Sequence, residues 1–269
     1  MPGISATTDA RRAIAAIGQE ADLLDTTPLH VDYGNGGFGG GGLGSSPCDA
    51  ARCITGTDEF EIIFTPENLS AIPRNADLQS RGAKRGVSLV EYSGTSATAL
   101  EFSSLNRPTS VDYHTLGGWM EYSVFTVNLW QFDPTDWQIW NAASFGVESG
   151  SNPVSGSAIW TGAMVGRTRG PDHQPGVLVM GESRLTFDFA TNELDAALTA
   201  IQSGNGQAYA DLAWENMPTT NGRFAGTTYS PIGAIEGSIS GRFYGPNHEE
   251  VGGLIDHAEF LGAFGASRQ

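Results

Sequence analysis

The sequence predicts a mainly all-β protein, in which a C-terminal eight-stranded antiparallel β-barrel follows a smaller β-rich domain with a short N-terminal helix. Three observations carry that reading. Gly237 to Arg268 alternates small or apolar residues with polar ones, so that Ile239, Gly241 and Phe243 share one face of a strand while Ser238, Ser240 and Arg242 share the other. Glycines and prolines punctuate the chain after about residue 155 at short, regular intervals, and Gly245-Pro246-Asn247 forces a reversal because Pro246 lacks a donor. Between Glu59 and Gly146, runs rich in aromatic and β-branched residues recur without helical periodicity.

In chain order, Ala10, Ile14, Ile17 and Leu23 or Leu24 fall at nearly helical spacing, which predicts a helix over residues 8–24 capped by Thr7, Thr8 or Asp9. The run Tyr33 to Gly44 maximises backbone freedom and reads as a loop or linker. It has no lysine followed by Ser or Thr, so it is no phosphate-binding loop. Glu59–Thr65, Val87–Tyr92, Gly118–Val127 and Asn141–Gly146 are expected as strands of a first sheet. Gly150 to Pro153 marks a boundary, dividing the chain into residues 1–154 and 155–269.

The second unit offers candidate strands at 157–166, 177–182, 183–190, 193–201, 208–216, 222–229, 233–243 and 250–265, the last split around Ala258-Glu259. Such even spacing favours a closed antiparallel sheet, which has no edges to recruit other chains. Trp160, Leu185, Phe187, Phe189, Leu198, Trp214, Phe243 and Phe264 are the expected core, each worth roughly 1.5–3 kcal/mol when buried, before entropy.

The segments Phe243 to Gly253 and Gly262 to Arg268 resemble the closing hairpin of the β-barrel in transferrin-binding protein B-like surface proteins, and Trp160 to Gly166 resembles their first barrel strand. The likeness covers residues 155–268. It implies a barrel scaffold beside a variable, handle-like N-terminal domain. It also implies a non-enzymatic bacterial protein, secreted or displayed at the outer-membrane surface, that captures iron, haem or a carrier protein through exposed loops. Only one barrel signature is present, so transferrin specificity is not implied. A haem or metal-complex carrier and a self-assembling surface protein are the alternatives.

Composition narrows the partners. The chain has 14 basic and 30 acidic residues, a formal charge of −16, which repels phosphate backbones and excludes nucleic acid as a natural partner. No apolar run reaches the ~20 residues of a membrane-spanning helix. The first residues also lack the basic and apolar regions of a secretory leader, so export is expected to use a signal absent from this sequence, with any membrane anchor not visible. Cys48 and Cys53 are the two cysteines, and in an oxidising compartment they are expected to form a disulfide.

For ligand binding, Trp130, Phe132, Trp137 and Trp140 form the sharpest candidate surface, because aromatic side chains bury large area with few rotors to freeze. His114 and His173 are candidate ligands for a haem iron, the one cofactor considered. No metal site is expected, since no second cysteine pair completes a four-ligand set. Glu249 and Glu250 are neighbours in a strand and face opposite sides, so they cannot flank one scissile bond. No nucleophile elbow or His-Glu-x-x-His helix occurs, and no catalytic residues are assigned.

Overall fold

A computed structural model of the chain describes residues 29–37, 48–49, 53–57, 60–64, 77–96, 110–133, 137–155, 158–169, 175–229 and 235–269. The helix expected over residues 8–24 lies outside them. Among the described residues all regular structure is β. The N-terminal part contains β1 (Leu29–Gly37), β2 (Cys48–Asp49), β3 (Cys53–Thr57), β4 (Phe60–Phe64), β5 (Asp77–Lys84), β6 (Val87–Ser96), β7 (Ser110–Trp119), β8 (Ser123–Asp133) and β9 (Trp137–Val147). Seven of these form one sheet in the order β2-β1-β9-β8-β7-β6-β5, and β3 pairs with β4.

Two expectations fail here for physical reasons. The glycine-rich run is not wholly a loop, because Tyr33 to Gly37 continues β1 and pairs with Ala143 to Trp140 of β9. A glycine strand forfeits side-chain packing but keeps its main-chain bonds. The run Gly118–Val127 is not one strand, because Met120 to Tyr122 turns between β7 and β8. That turn carries none of the usual turn residues, and its donors are met from elsewhere in the molecule. Cys48 lies in β2 and Cys53 in β3, but both side chains, and with them the expected disulfide, lie outside the described residues.

The C-terminal part is a closed antiparallel barrel of eight strands: β10 (Ile159–Arg169), β11 (Pro175–Asp188), β12 (Glu193–Ser203), β13 (Leu212–Thr220), β14 (Arg223–Tyr229), β15 (Ile235–Tyr244), β16 (Glu250–His257) and β17 (Phe260–Arg268). It closes where β10 pairs with β17, from Trp160 opposite Arg268 to Thr168 opposite Phe260. Segments 177–182 and 183–190 are one strand, β11. The glycine at 181 marks a bulge between Met180 and Glu182, which bends the strand without ending it. The split at Ala258-Glu259 separates β16 from β17.

Side chains fill the barrel. Trp160, Leu185, Phe187, Leu198, Trp214, Phe243 and Phe264 are all buried in one interior cluster. Phe189 departs from expectation: it sits just past the end of β11, 38% exposed, and meets Phe187 edge-on at 5.3 Å between centroids.

A second core lies outside the barrel wall. Ala163, Val165, Leu254, Leu261 and Ala263 point outward from β10, β16 and β17, and pack against Leu89, Leu116, Phe125, Val127 and Trp140 of the N-terminal sheet. The closing strands are therefore covered on both faces, and β16 and β17 read as almost unbroken burial rather than alternation. The two parts share this core.

Candidate functional site

The strands of the barrel run between two ends that differ in how they are finished. At the end holding the start of β10 and the finish of β17, residues 148–155 wrap across the strand termini. Ser149 donates from its N–H to the Phe243 carbonyl at 3.0 Å, and Asn152 both donates to the Thr219 carbonyl and accepts from the Gly222 N–H, each at 2.8 Å. His248, with φ at 61°, turns its carbonyl to accept from the buried Trp160 indole at 2.8 Å, while its Nε2 meets Ser151. This end is tied shut.

Beside it, Glu250 fastens the N-terminal sheet to the barrel. Its carboxyl is 4% exposed and accepts from the N–H of Glu121 at 2.8 Å, from the N–H of Tyr122 at 3.2 Å and from the Ser123 hydroxyl at 2.7 Å. These are the orphan donors of the turn between β7 and β8, so a barrel side chain does the work that glycine or asparagine does in an ordinary hairpin. Burial pushes this carboxyl up to about 7, against the pull of the three donors. Next to it, Arg242 of β15 donates to Glu148 at 2.9 Å with both side chains 6% exposed, and Arg223 donates to the same carboxylate oxygen. Sequence reasoning kept Glu250 out of a catalytic pair but could not see that its partners lay 127 to 129 residues away.

Halfway up the junction a second polar chain crosses. Arg81 donates to Glu91, Glu91 accepts from His114 Nε2, and His114 Nδ1 accepts from Arg167 of β10. A guanidinium has only donors, so Nδ1 must accept and the ring hydrogen sits on Nε2. Burial acts to raise Glu91, but the bonds from His114 and Arg81 outweigh it and bring the carboxyl down to about 2. Arg167 is pushed down by burial to about 10 and stays charged near neutrality.

At the opposite end, β6 finishes and β7 starts, β8 finishes and β9 starts, and β10, β12 and β14 finish where β11, β13 and β15 begin. The tip of the β8–β9 hairpin brings Phe132 opposite Trp137, and Trp130 lies opposite Tyr113 on β7. The side chains of Trp130, Phe132 and Trp137 lie outside the described residues, as does His173, which the sequence puts between the end of β10 and the start of β11. Two candidates are placed elsewhere. Trp140 is 1% exposed inside the shared core, where packing consumes it. His114 spends both ring nitrogens on Glu91 and Arg167, so a haem iron would have to displace one of them.

The exposed carboxylates Asp188, Asp195 and Asp211 accept from the main-chain N–H groups of Ala190, Asn216 and Ala200, finishing a turn and two irregular strand positions. Among the described residues no group of three or more His, Cys, Asp or Glu is placed to hold a metal ion.

Comparison with known proteins bears on the barrel. Residues 149–268 match the family of C-lobe and N-lobe β barrels of Tf-binding protein B. The search of curated proteins finds no match. Among solved structures, the chain is similar to a double mutant of transferrin binding protein B from Haemophilus parasuis Hp5, at 14% identity and a TM-score of 0.49, over 90% of this chain and 45% of that one. It is similar to isotype 1 transferrin binding protein B of serogroup B Neisseria meningitidis at 15% identity and a TM-score of 0.45, over 90% of this chain and 44% of that one. The N-lobe domain of lactoferrin binding protein B of Moraxella bovis is similar at 12% identity and a TM-score of 0.37, over 90% of this chain and 99% of that one. The chain thus spans a little under half the length of the two transferrin binding proteins.

Proposed function

Starting from residues 149–268 as a member of the Tf-binding protein B barrel family, we propose that this chain is a non-enzymatic binding protein at the surface of a bacterium, and that it captures an iron-bearing carrier protein. Recognition falls to the end where the β8–β9 hairpin and the β10–β11, β12–β13 and β14–β15 connections converge. The observation that carries this reading is the register that sets Phe132 opposite Trp137 at the last pair of the β8–β9 hairpin, at the end away from the one laced by residues 148–155. Aromatic residues at a hairpin tip suit a protein partner, because they bury large area at low entropic cost. Capture of haem itself through His114 is disfavoured by the bonds that ring already makes.

The test is a binding titration of the immobilised chain against iron-loaded and iron-free transferrin, iron-loaded lactoferrin and haemin. Binding of one of the carrier proteins at micromolar concentration or tighter, weakened by Trp130→Ala and Trp137→Ala, is the expected result. Failure of both carriers to bind at that concentration overturns iron-carrier capture. A Soret shift with haemin that disappears in His114→Ala would replace it with haem carriage.

A further inference from the structure

The barrel wall has one seam that its own strands do not close. β13 and β14 pair only at Thr219 with Phe224 and Thr220 with Arg223, although the strands run for 9 and 7 residues. The tight turn between them, Asn221-Gly222 with φ of 51° and 75°, is the kind that normally starts a long hairpin. The sequence supplies the reason it stops. Thr219 donates from its N–H to the Asn192 carbonyl, away from β14, so by alternation the main-chain groups of Thr220 and of residue 218 face β14. Pro218 has no N–H to offer there. Two residues earlier, Asn216 adopts φ of 54° and turns its N–H to the Asp195 carboxylate at 2.8 Å. Both donors that would have carried the ladder onward are missing or diverted.

A cleft of about 260 Å³ opens as a result, lined by Trp214, Glu215, Met217, Gly226 and Thr227. Hydrogen-bonding groups are left over on both of its sides. The same alternation that aims Arg223 at Thr220 aims the main-chain groups of Ala225 and Thr227 into the seam, beyond the last paired residues. On the other side, Trp214 is 3% exposed and its indole N–H has no partner among the described residues. A Cβ on Gly226 would stand 3.1 Å from Trp214 Cδ1, so the pyrrole edge of the indole faces β14. Buried donors in native proteins are nearly always paired. The β13 side is acidic: from Glu193 to Gly222 the chain has Glu193, Asp195, Asp211 and Glu215 and no Lys, Arg or His, and Arg223 at the start of β14 donates to Glu148. In the strand order β13 and β14 lie across the barrel from β10 and β17, the strands covered by the N-terminal sheet.

We infer that this seam receives an extended, basic peptide segment of a partner protein, which adds as a strand along β14. Its main chain would pair with Ala225 and Thr227, one of its carbonyls would accept from the Trp214 indole, and its Lys or Arg side chains would meet the Glu215 side of the cleft. Main-chain pairing supplies affinity in this mode, and side-chain chemistry supplies choice. The cleft lies where β13 starts and β14 finishes, at the same end as the surface proposed for the iron carrier, but the inference rests on the main chain of the seam and needs no part of that reading.

The experiment uses the full chain labelled with ¹⁵N and a fluorescein-labelled nine-residue peptide of alternating valine and lysine. A second peptide with proline at its centre and a third with glutamate for lysine serve as comparisons. The Trp214 indole signal is identified by its loss in Trp214→Phe. Expected results are saturable polarisation with the first peptide alone, a downfield shift of that indole proton, and slowed exchange at the amides of Ala225 and Thr227. Trp214→Phe should weaken binding about tenfold, the worth of one hydrogen bond, and Glu215→Lys should weaken it as well. Pro218→Val, which restores a donor opposite Ala225, should zip the seam and abolish peptide binding while leaving iron-carrier binding unchanged. Equal binding of the proline peptide, or an indole signal that does not move at saturating peptide, overturns the inference. So does protection at Ala225 and Thr227 that rises with protein concentration before peptide is added, which would mean that copies of the chain pair with each other instead.

Discussion

Glu250→Gln is the substitution that most directly tests how the two parts are joined. The carboxyl is 4% exposed, and it holds the Glu121 and Tyr122 amides and the Ser123 hydroxyl. Burial raises it from 4.5 to about 7. Each tenfold gain in proton affinity on folding is worth ~1.4 kcal/mol, so that difference amounts to about 3 kcal/mol. The sign follows from which state holds the proton more tightly. The folded state does, so the contribution is complete below pH 4.5 and is lost as the pH climbs from there through about 7. Glutamine keeps the shape and an acceptor oxygen but never ionises. Urea unfolding followed by tryptophan fluorescence at pH 4.5 and pH 8 should therefore show the variant gaining on the parent by about 3 kcal/mol over that interval. Every other titrating group is common to both chains and drops out of the difference. A gap that stays constant, or that moves toward the parent as the pH rises, would mean that the three donors outweigh burial and hold a carboxylate, and would refute the reasoning.

Two further substitutions probe the same junction. Glu148→Gln keeps an acceptor oxygen but takes away the negative charge opposite Arg223 and the 6% exposed Arg242, so it should cost ~1.5–3 kcal/mol by urea unfolding, more than Arg242→Met, which leaves Glu148 its partner Arg223. Gly265→Ala places a methyl group against the Phe125 ring and 3.0 Å from Met120 Sδ. It should lower Tm by roughly 3–10 °C through overpacking of about 1–3 kcal/mol, and Phe125→Leu in the same chain should recover part of the loss.

Most of the barrel was legible because one sheet face is wet on much of its circumference. β13 shows a buried residue at Trp214, Met217 and Thr219 among exposed neighbours, and that rhythm is visible in a bare sequence. The closing strands were legible through their glycines and through a likeness in residues 160–166 and 243–268. Less of the N-terminal sheet could be read. β1 is built from a glycine run, whose pairing with β9 leaves no side-chain pattern. The turn at Met120 to Tyr122 carries no turn signal because its signal is Glu250, contributed from the far end of the chain. Trp140 read as a contact residue because an aromatic run looks the same whether it faces a partner or the neighbouring domain. Pro218 lies just past the strand expected over 208–216, whereas β13 runs Leu212–Thr220 and takes it in, and its meaning depends on which neighbour that residue faces.

Those observations divide the barrel wall by chemistry. Around β10, β16 and β17 the outer face is small and apolar, and glycines admit what packs against it: a Cβ on Gly265 would strike Phe125, and one on Gly252 would stand 3.1 Å from Ser144 Oγ of β9. Glycine there marks close approach rather than flexibility. A wall committed to an internal partner on both faces cannot also serve an external one, so the proposed recognition falls to the strand ends or to the opposite wall. The end laced by residues 148–155 has spent its main-chain groups on itself. What remains are the far end, with its aromatic hairpin tip, and the β13–β14 seam, with its unpaired indole. The two differ in kind. On the proposed readings the first suits a folded partner that meets several connections at once, whereas the second offers main-chain groups in a line and suits an extended one.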